Sequence, residues 1–237
     1  MNFSLNDLKS KCAEFDLILD ENQLLCLKKY GEMLYEWNQK MNLTAITEEN
    51  EVNLKHFFDS LLIFKYCDIP VGAKVVDVGT GAGFPGLVMK IARPDIDIWL
   101  LDSLKKRLGF LDAVSAELGI ETHTVHIRAE EGSKKPEFRE SFDVAVSRAV
   151  AAMPVLCELC IPYVKKGGQF LAMKGSAGRE ETAAAKNAIS VLGGGLEEFF
   201  EYELPTGDKR TIAEIKKLSQ TSPKYPRKNT EISKSSL

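Results

Sequence analysis

An apolar strand that carries one acid and runs straight into a glycine-dense turn constrains this chain more than any other feature. Lys74-Val75-Val76-Asp77-Val78 leads into Gly79-Thr80-Gly81-Ala82-Gly83-Phe84-Pro85-Gly86. Glycines here let backbone N–H groups approach a ligand where a Cβ would collide, and Pro85 has the fixed φ that suits the first turn of a following helix. The segment predicts a strand, a turn and a helix around a nucleotide-like ligand. Gly81, Gly83 and Gly86 also satisfy the dinucleotide spacing G-x-G-x-x-G, a weak signal by itself.

Asp77 bears on the choice of ligand. A dinucleotide places its doubly negative pyrophosphate against such a turn, and a carboxylate two residues before Gly79 would repel it by about 4 kcal/mol at a separation of about 4 Å and an effective dielectric of about 20. S-adenosylmethionine has no phosphate; its ammonium and its cationic sulfur make an acid at the strand end favourable. The turn is therefore read as an S-adenosylmethionine cradle that includes Asp77, Gly79, Gly81 and Gly83.

The chain's 237 residues and 44% hydrophobic content suit one α/β domain with an appendage. Its division is read as a helical extension over 1–70 and a methyltransferase domain over 71–237. Met1 to Asp20 lacks the apolar segment of a signal peptide, and no stretch approaches the roughly 18 apolar residues of a membrane span, so a cytoplasmic protein without membrane contact is expected. Five cysteines, Cys12, Cys26, Cys67, Cys157 and Cys160, fit a reducing compartment better than a disulfide framework. Cys157 and Cys160 form a C-x-x-C, and His123 and His126 lie three apart. The cysteines follow Pro154 in a helix-like apolar stretch and the histidines alternate with Val125 and Ile127 as on a strand, so no metal is expected.

Net charge is −3, which does not announce a nucleic-acid binder. From Pro205 to Leu237, however, eight lysines and arginines face three acids. The run Lys224-Tyr225-Pro226-Arg227-Lys228 interleaves a ring with positive charge, which suits either a strand-binding surface or a frayed terminus.

Before Pro70 the pattern is helical. Ser4 and Asp7 resemble a capping box, a second helix is expected over 21–39, and Thr47 is expected to cap a third that carries His56, Phe57, Phe58 and Leu61. His56 is read as a satisfied structural histidine. Beyond Pro70, strands over 74–78, 96–101, 122–127, 142–147 and 169–174 alternate with helices over 86–92, 103–118, 149–164 and 178–192, the rhythm of a parallel sheet buried on both faces. Strands over 197–204 and 211–217 would close the sheet as an antiparallel hairpin. The expected fold is a Rossmann-like α/β sheet of seven mostly parallel strands.

Ligands of such sheets lie across the carboxyl ends of the strands. Those positions hold Asp77 and Gly79; Asp102 with Ser103, where a carboxylate can accept both ribose hydroxyls; Ala129 and Glu130, beside the adenine; and Arg148, near the transferred methyl. Amino-group methylation would call for an Asp/Asn, Pro, Pro, aromatic cluster, which the chain lacks. Carbon methylation of a pyrimidine would call for a thiolate at a strand end, and none is there. Guanine N7 has an exposed lone pair and no proton to lose, so alignment alone suffices. Arg148 is expected to hold a ligand in line, and Arg148→Ala to weaken cofactor binding while sparing the fold. Lys174 and Arg210 are candidates for guanine O6 or a phosphate. No catalytic acid or base is assigned.

Trp37-Asn38, Asn42-Leu43-Thr44-Ala45-Ile46, His56-Phe57-Phe58-Asp59-Ser60-Leu61, the Phe84-Pro85-Gly86 ending of the turn, Ser147-Arg148-Ala149 and Tyr225-Pro226-Arg227-Lys228 resemble bacterial small-subunit ribosomal RNA guanine-N7 methyltransferases, the glucose-inhibited division protein B family. The resemblance covers nearly the whole length. It implies a seven-stranded methyltransferase fold with a helical amino-terminal extension, S-adenosyl-L-methionine as cofactor, and one guanosine of 16S ribosomal RNA, within the small subunit's decoding region, as substrate. It places cofactor contacts on Gly79, Phe84, Ala129, Glu130 and Arg148. A monomer is expected. Two readings compete: a nicotinamide-dependent oxidoreductase using Gly81, Gly83, Gly86 and Asp102, and a ribosome-assembly RNA binder without turnover.

Overall fold

In the computed structural model, residues 3–148 and 150–237 are described. Ala149, the last residue of the Ser147-Arg148-Ala149 motif and the expected start of a helix, lies outside them. The amino-terminal segment holds α1 (Leu5–Ala13), α2 (Glu21–Met41), α3 (Glu49–Glu51), a π-helical stretch (Val52–Phe58), α4 (Asp59–Leu61) and α5 (Ile63–Tyr66). Ser4 and Asp7 form the capping box of α1, and Asp20 and Gln23 form a second one on α2, each satisfying two otherwise orphaned N–H groups. Thr47 is not a cap: the helical run begins after Glu48, which makes no side-chain cap bond.

The remainder alternates as expected: β1 (Lys74–Val78), α6 (Gly86–Ala92), β2 (Asp97–Asp102), α7 (Lys105–Leu118), β3 (His123–His126), α8 (Ala129–Gly132), β4 (Phe142–Arg148), α9 (Met153–Cys160), β5 (Val164–Lys174), α10 (Gly178–Ala184), α11 (Lys186–Val191), β6 (Gly194–Glu203), β7 (Lys209–Lys217) and α12 (Asn229–Ile232). A 3-10 turn, Ile161–Tyr163, links α9 to β5. Two helices are shorter than the periodicity predicts. α9 starts only at Met153, with Pro154 in its first turn where a missing N–H costs nothing, and the 178–192 segment is divided at Ala185.

The seven strands run in the order β3-β2-β1-β4-β5-β7-β6. The first five are mutually parallel; β7 lies antiparallel between β5 and β6. Order reverses between β1 and β4, so the chain leaves a crevice at their carboxyl ends. Strand period two divides the core: Val75, Val144 and Leu171 join one apolar cluster with Tyr30, Phe57 and Phe110, whereas Val76, Ala145 and Phe170 join another with Leu156, Cys157 and Tyr163. The amino-terminal helices and the sheet thus share a single apolar layer.

That layer reaches the glycine turn from below. Tyr30 of α2 is fully buried, stacks on Phe84 at 5.6 Å between centroids, and donates its hydroxyl to the Ala82 carbonyl. Removing that donor strands a buried acceptor. Tyr30→Phe is therefore expected to lower stability by about 1–3 kcal/mol in urea unfolding, with an unchanged far-UV spectrum.

Candidate active site

A cavity of about 500 Å3 opens at the carboxyl ends of the first four strands. β1 contributes Val78 and the turn residues Gly79, Thr80, Gly81, Ala82 and Phe84; β2 contributes Leu101, Asp102 and Ser103. Ile127, Arg128, Ala129 and Glu130 follow β3, and Arg148 ends β4. The strand-end reading therefore brings eight of its ten cofactor candidates to one wall. The other two, Asp77 and Gly83, do not line it.

Asp77 is completely buried beneath the turn. Its Oδ2 accepts the Thr80 hydroxyl at 2.7 Å and the Gly86 N–H at 2.9 Å, closing the turn and capping the first N–H of α6. The carboxylate thus acts on the backbone, and the charge contact with a ligand inferred from its sequence position is replaced by an architectural one. Gly83, at φ +101°, faces the amino-terminal helices, where a Cβ would meet the Tyr30 hydroxyl at 2.5 Å; Gly86 backs onto Asp77, where a Cβ would meet the side chain at 2.8 Å. Of the G-x-G-x-x-G triplet, only Gly81 faces the cavity, with open space where its Cβ would lie.

Asp102 is nearly buried, with Oδ2 accepting the Gly81 N–H at 3.0 Å and Oδ1 the Leu104 N–H at 2.8 Å. It fixes the turn to β2 while keeping lone pairs for hydroxyl donors. α7 starts two residues later than expected, with Leu104 as its N-cap. Glu130, expected beside the adenine after β3, sits in the first turn of α8, is mostly buried and lines the cavity.

Arg148 connects this cavity to a second one of about 280 Å3, lined by Ile46, Lys55, His56, Asp59, Met173, Lys174, Gly175, Tyr202 and Arg210; both cavities share His56 and Arg148. Its Nη1 donates to the Asp59 carboxylate at 3.1 Å and to the Lys55 carbonyl at 3.0 Å, and its Nη2 donates to His56 Nδ1 at 3.1 Å. The guanidinium also lies 5.1 Å from the centroid of Phe84, within cation–π range. This is a buried ion pair, because the Asp59 side chain is only 3% exposed.

His56 is held neutral. Burial and the Arg148 charge push its pKa down from 6.5 to about 3. With Nδ1 accepting from Arg148, Nε2 carries the proton and donates to Thr44 Oγ1 at 2.8 Å, while the ring stacks on Phe84 at 4.3 Å. It is the satisfied structural histidine of the sequence reading, and it forms part of both cavity walls. Lys174 and Arg210 reach the second cavity with protein partners already in place. The Lys174 ammonium donates to the Ala151 carbonyl at 2.6 Å and pairs with Glu181 at 2.8 Å, and Arg210 Nε lies 3.5 Å from Asp59.

The carboxyl-terminal run is docked on the fold rather than frayed, with Lys224 and Lys228 left exposed. Tyr225 is buried, Arg227 pairs with the fully buried Glu158 at 2.6 Å, and Asn229 reaches the rim of the first cavity. Leu43, Thr44, Arg107, Val150, Leu159 and Asn229 were missed as cavity residues. Only Leu43 and Thr44 had a sequence signal, the Asn42-Leu43-Thr44-Ala45-Ile46 motif. All five cysteines are free thiols; Cys157 and Cys160 are buried in α9, and His123 pairs with Asp97 at 3.0 Å.

Residues 23–207 match the family described as rRNA small subunit methyltransferase G, GidB. The chain belongs to this family. It is 48% identical to the Ribosomal RNA small subunit methyltransferase G of Clostridium novyi (strain NT), over 98% of this chain and 96% of that one. It is 44% identical to the protein of the same name from Lactococcus lactis subsp. cremoris (strain MG1363), over 98% of each. Among solved structures, a putative methyltransferase from Bacillus halodurans C-125 superposes with a TM-score of 0.54 at 14% identity, covering 68% of this chain and 99% of that one. TrmN from Thermus thermophilus gives 0.53 at 19% identity, covering 67% of this chain and 48% of that one. Both share the fold.

Arg148→Ala leaves Asp59 buried with a weakened set of partners, so the expectation that the fold is spared is revised. The variant is expected to lose about 3 kcal/mol of stability in urea unfolding, with part regained in the Arg148→Ala, Asp59→Asn double variant. Two buried groups also shape the pH dependence. Below pH 6.5 the unfolded chain protonates His56 before the folded chain does, so stability falls as pH drops toward about 3. Asp77, raised by burial from 3.8 to about 6 against the opposing Thr80 and Gly86 hydrogen bonds, has the opposite sign: the folded chain binds the proton first, and stability falls as pH rises through that window. Where the windows overlap the effects oppose. His56→Gln is expected to tilt the stability profile between about pH 4 and 6 downward with rising pH by up to about 1.4 kcal/mol per unit relative to the parent, as measured by urea titrations across pH.

Proposed function

We propose that the chain transfers a methyl group from S-adenosyl-L-methionine to N7 of a guanosine in 16S ribosomal RNA. The observation that carries the reading is the pair of cavities meeting at Arg148 and His56, at the sheet's reversal point, in a chain of the small-subunit methyltransferase family. The residues suit the cofactor. Asp102 offers lone pairs for ribose hydroxyls, Ile127, Ala129 and Leu159 offer apolar surface for adenine, and Gly81 leaves its Cβ position open. When bound, S-adenosylmethionine supplies an electrophilic methyl on a cationic sulfur.

The protein's own task is alignment. N7 attacks with a free lone pair and loses no proton, so no general base is required. His56 agrees with this, since both its nitrogens are engaged and it stays neutral near pH 7. Lys174 and Arg210 are proposed to receive guanine O6 or a phosphate in the second cavity, exchanging or sharing their present partners. Residues 1–70 are proposed as a helical extension that contributes Leu43, Thr44 and His56 to the site, and 71–237 as the catalytic domain. The proposed setting is a cytoplasmic monomer acting on RNA within the small subunit. Among the described residues, no helix is long and apolar enough to cross a membrane.

Labelled S-adenosylmethionine incubated with small subunits from a strain lacking the gene should yield 7-methylguanosine in the RNA digest; label confined to an exocyclic amine or to protein overturns the reading. Asp102→Ala is expected to weaken S-adenosylhomocysteine binding about tenfold or more by calorimetry.

A further inference from the structure

The carboxyl-terminal tail is held against the wall of the first cavity by buried charges. Glu158 of α9 accepts from the Arg227 backbone N–H at 2.7 Å, from Nε at 2.9 Å and from Nη2 at 2.6 Å. Arg139 donates to the Tyr225 carbonyl at 3.0 Å and to the Ser133 carbonyl at 3.3 Å, tying the tail to the turn that ends α8. Lys217, nearly fully buried, pairs with Glu140 at 2.9 Å and donates to Thr221 Oγ1 at 2.6 Å. Tyr225, Ile232 and Leu237 add apolar contact. One strap therefore spans α9, the α8 turn and the end of β7.

The strap's register places Asn229 on the wall of the cavity that Leu159, the neighbour of Glu158, also lines. That wall also holds Ile127, Ala129 and Glu130, the end assigned above to adenine. Adenine presents a donor, the 6-amino group, next to ring-nitrogen acceptors. On this wall the Glu130 carboxylate can accept, and the Asn229 carboxamide can both accept and donate. Among the described residues the Asn229 carboxamide makes one bond, a 3.4 Å contact to Oδ1 from the Ser233 hydroxyl.

We infer that the tail is part of the cofactor site and that Asn229 reads the adenine edge, its oxygen accepting from the 6-amino group and its NH2 donating to a ring nitrogen. The Glu158–Arg227 pair is then the positioning element that sets Asn229 in register. The inference rests on the cofactor proposed above.

The experiment compares S-adenosylhomocysteine with its purine-riboside analogue, in which hydrogen replaces the 6-amino group, by calorimetry on the full chain. Asn229→Ala is expected to weaken S-adenosylhomocysteine about tenfold and to weaken the purine-riboside compound, which offers the carboxamide oxygen no donor, by about threefold or less. In the parent chain, hydrogen exchange of amides 227–232 is expected to slow on adding S-adenosylhomocysteine. Undiminished affinity of Asn229→Ala for S-adenosylhomocysteine, or equal loss for both compounds, overturns the edge contact. Unchanged exchange in the tail overturns its place in the site. A parent chain that binds neither compound overturns the cofactor reading itself, an outcome separate from these.

Discussion

The guanidinium of Arg148 joins the parts of this molecule that make the site. It stands at the end of β4, where the sheet reverses, and its donors are spread over the Lys55 carbonyl, His56 and Asp59, all from the amino-terminal helices. Asp59 passes the connection on to the closing hairpin through the Tyr202 hydroxyl at 2.9 Å and Arg210. A buried carboxylate needs such a set of partners, because desolvation costs several kcal/mol per ion and only well-directed donors offset it. The same contacts build the partition between the two cavities. The π-helical winding of Val52–Phe58 carries His56 and Lys55 to this junction, a placement in keeping with the habit of π-bulges to sit at working sites.

A second buried carboxylate organises the glycine turn. Asp77 draws the Thr80 hydroxyl and the Gly86 N–H under the turn, while Asp102 holds the Gly81 N–H from the side. The two acids leave the turn's outer face clear for a ligand. Tyr30 supports Ala82 from the opposite layer, so the extension takes part in shaping the cofactor wall as well as the second cavity.

Much of the sheet was legible because its signals are local. Near-continuous apolar runs from Val75 to Val78 and from Val144 to Val146 mark strands buried on both faces, and the intervening helical periods mark the crossovers between parallel strands. Asp102, Ala129, Glu130 and Arg148 could be picked out because parallel strands end on one side of a sheet, which converts chain position into spatial position. Boundaries set by tertiary contact were less legible: the late start of α9 and the break at Ala185 follow packing that no periodicity records.

Sequence by itself determined the strand-turn-helix at 74–92, the strand-end residues and the helices that precede β1, since each follows from backbone geometry and side-chain period over a few neighbours. Only the tertiary structure decided where the charges go. Asp77 turned inward because the nearest unsatisfied donors lay beneath the turn, and Arg227 turned onto Glu158 because a carboxylate buried in α9 required a cation. A charged side chain is placed by whichever partner compensates its desolvation, and in this fold those partners lie as many as 143 positions away in the chain, as with Asp59 and Tyr202.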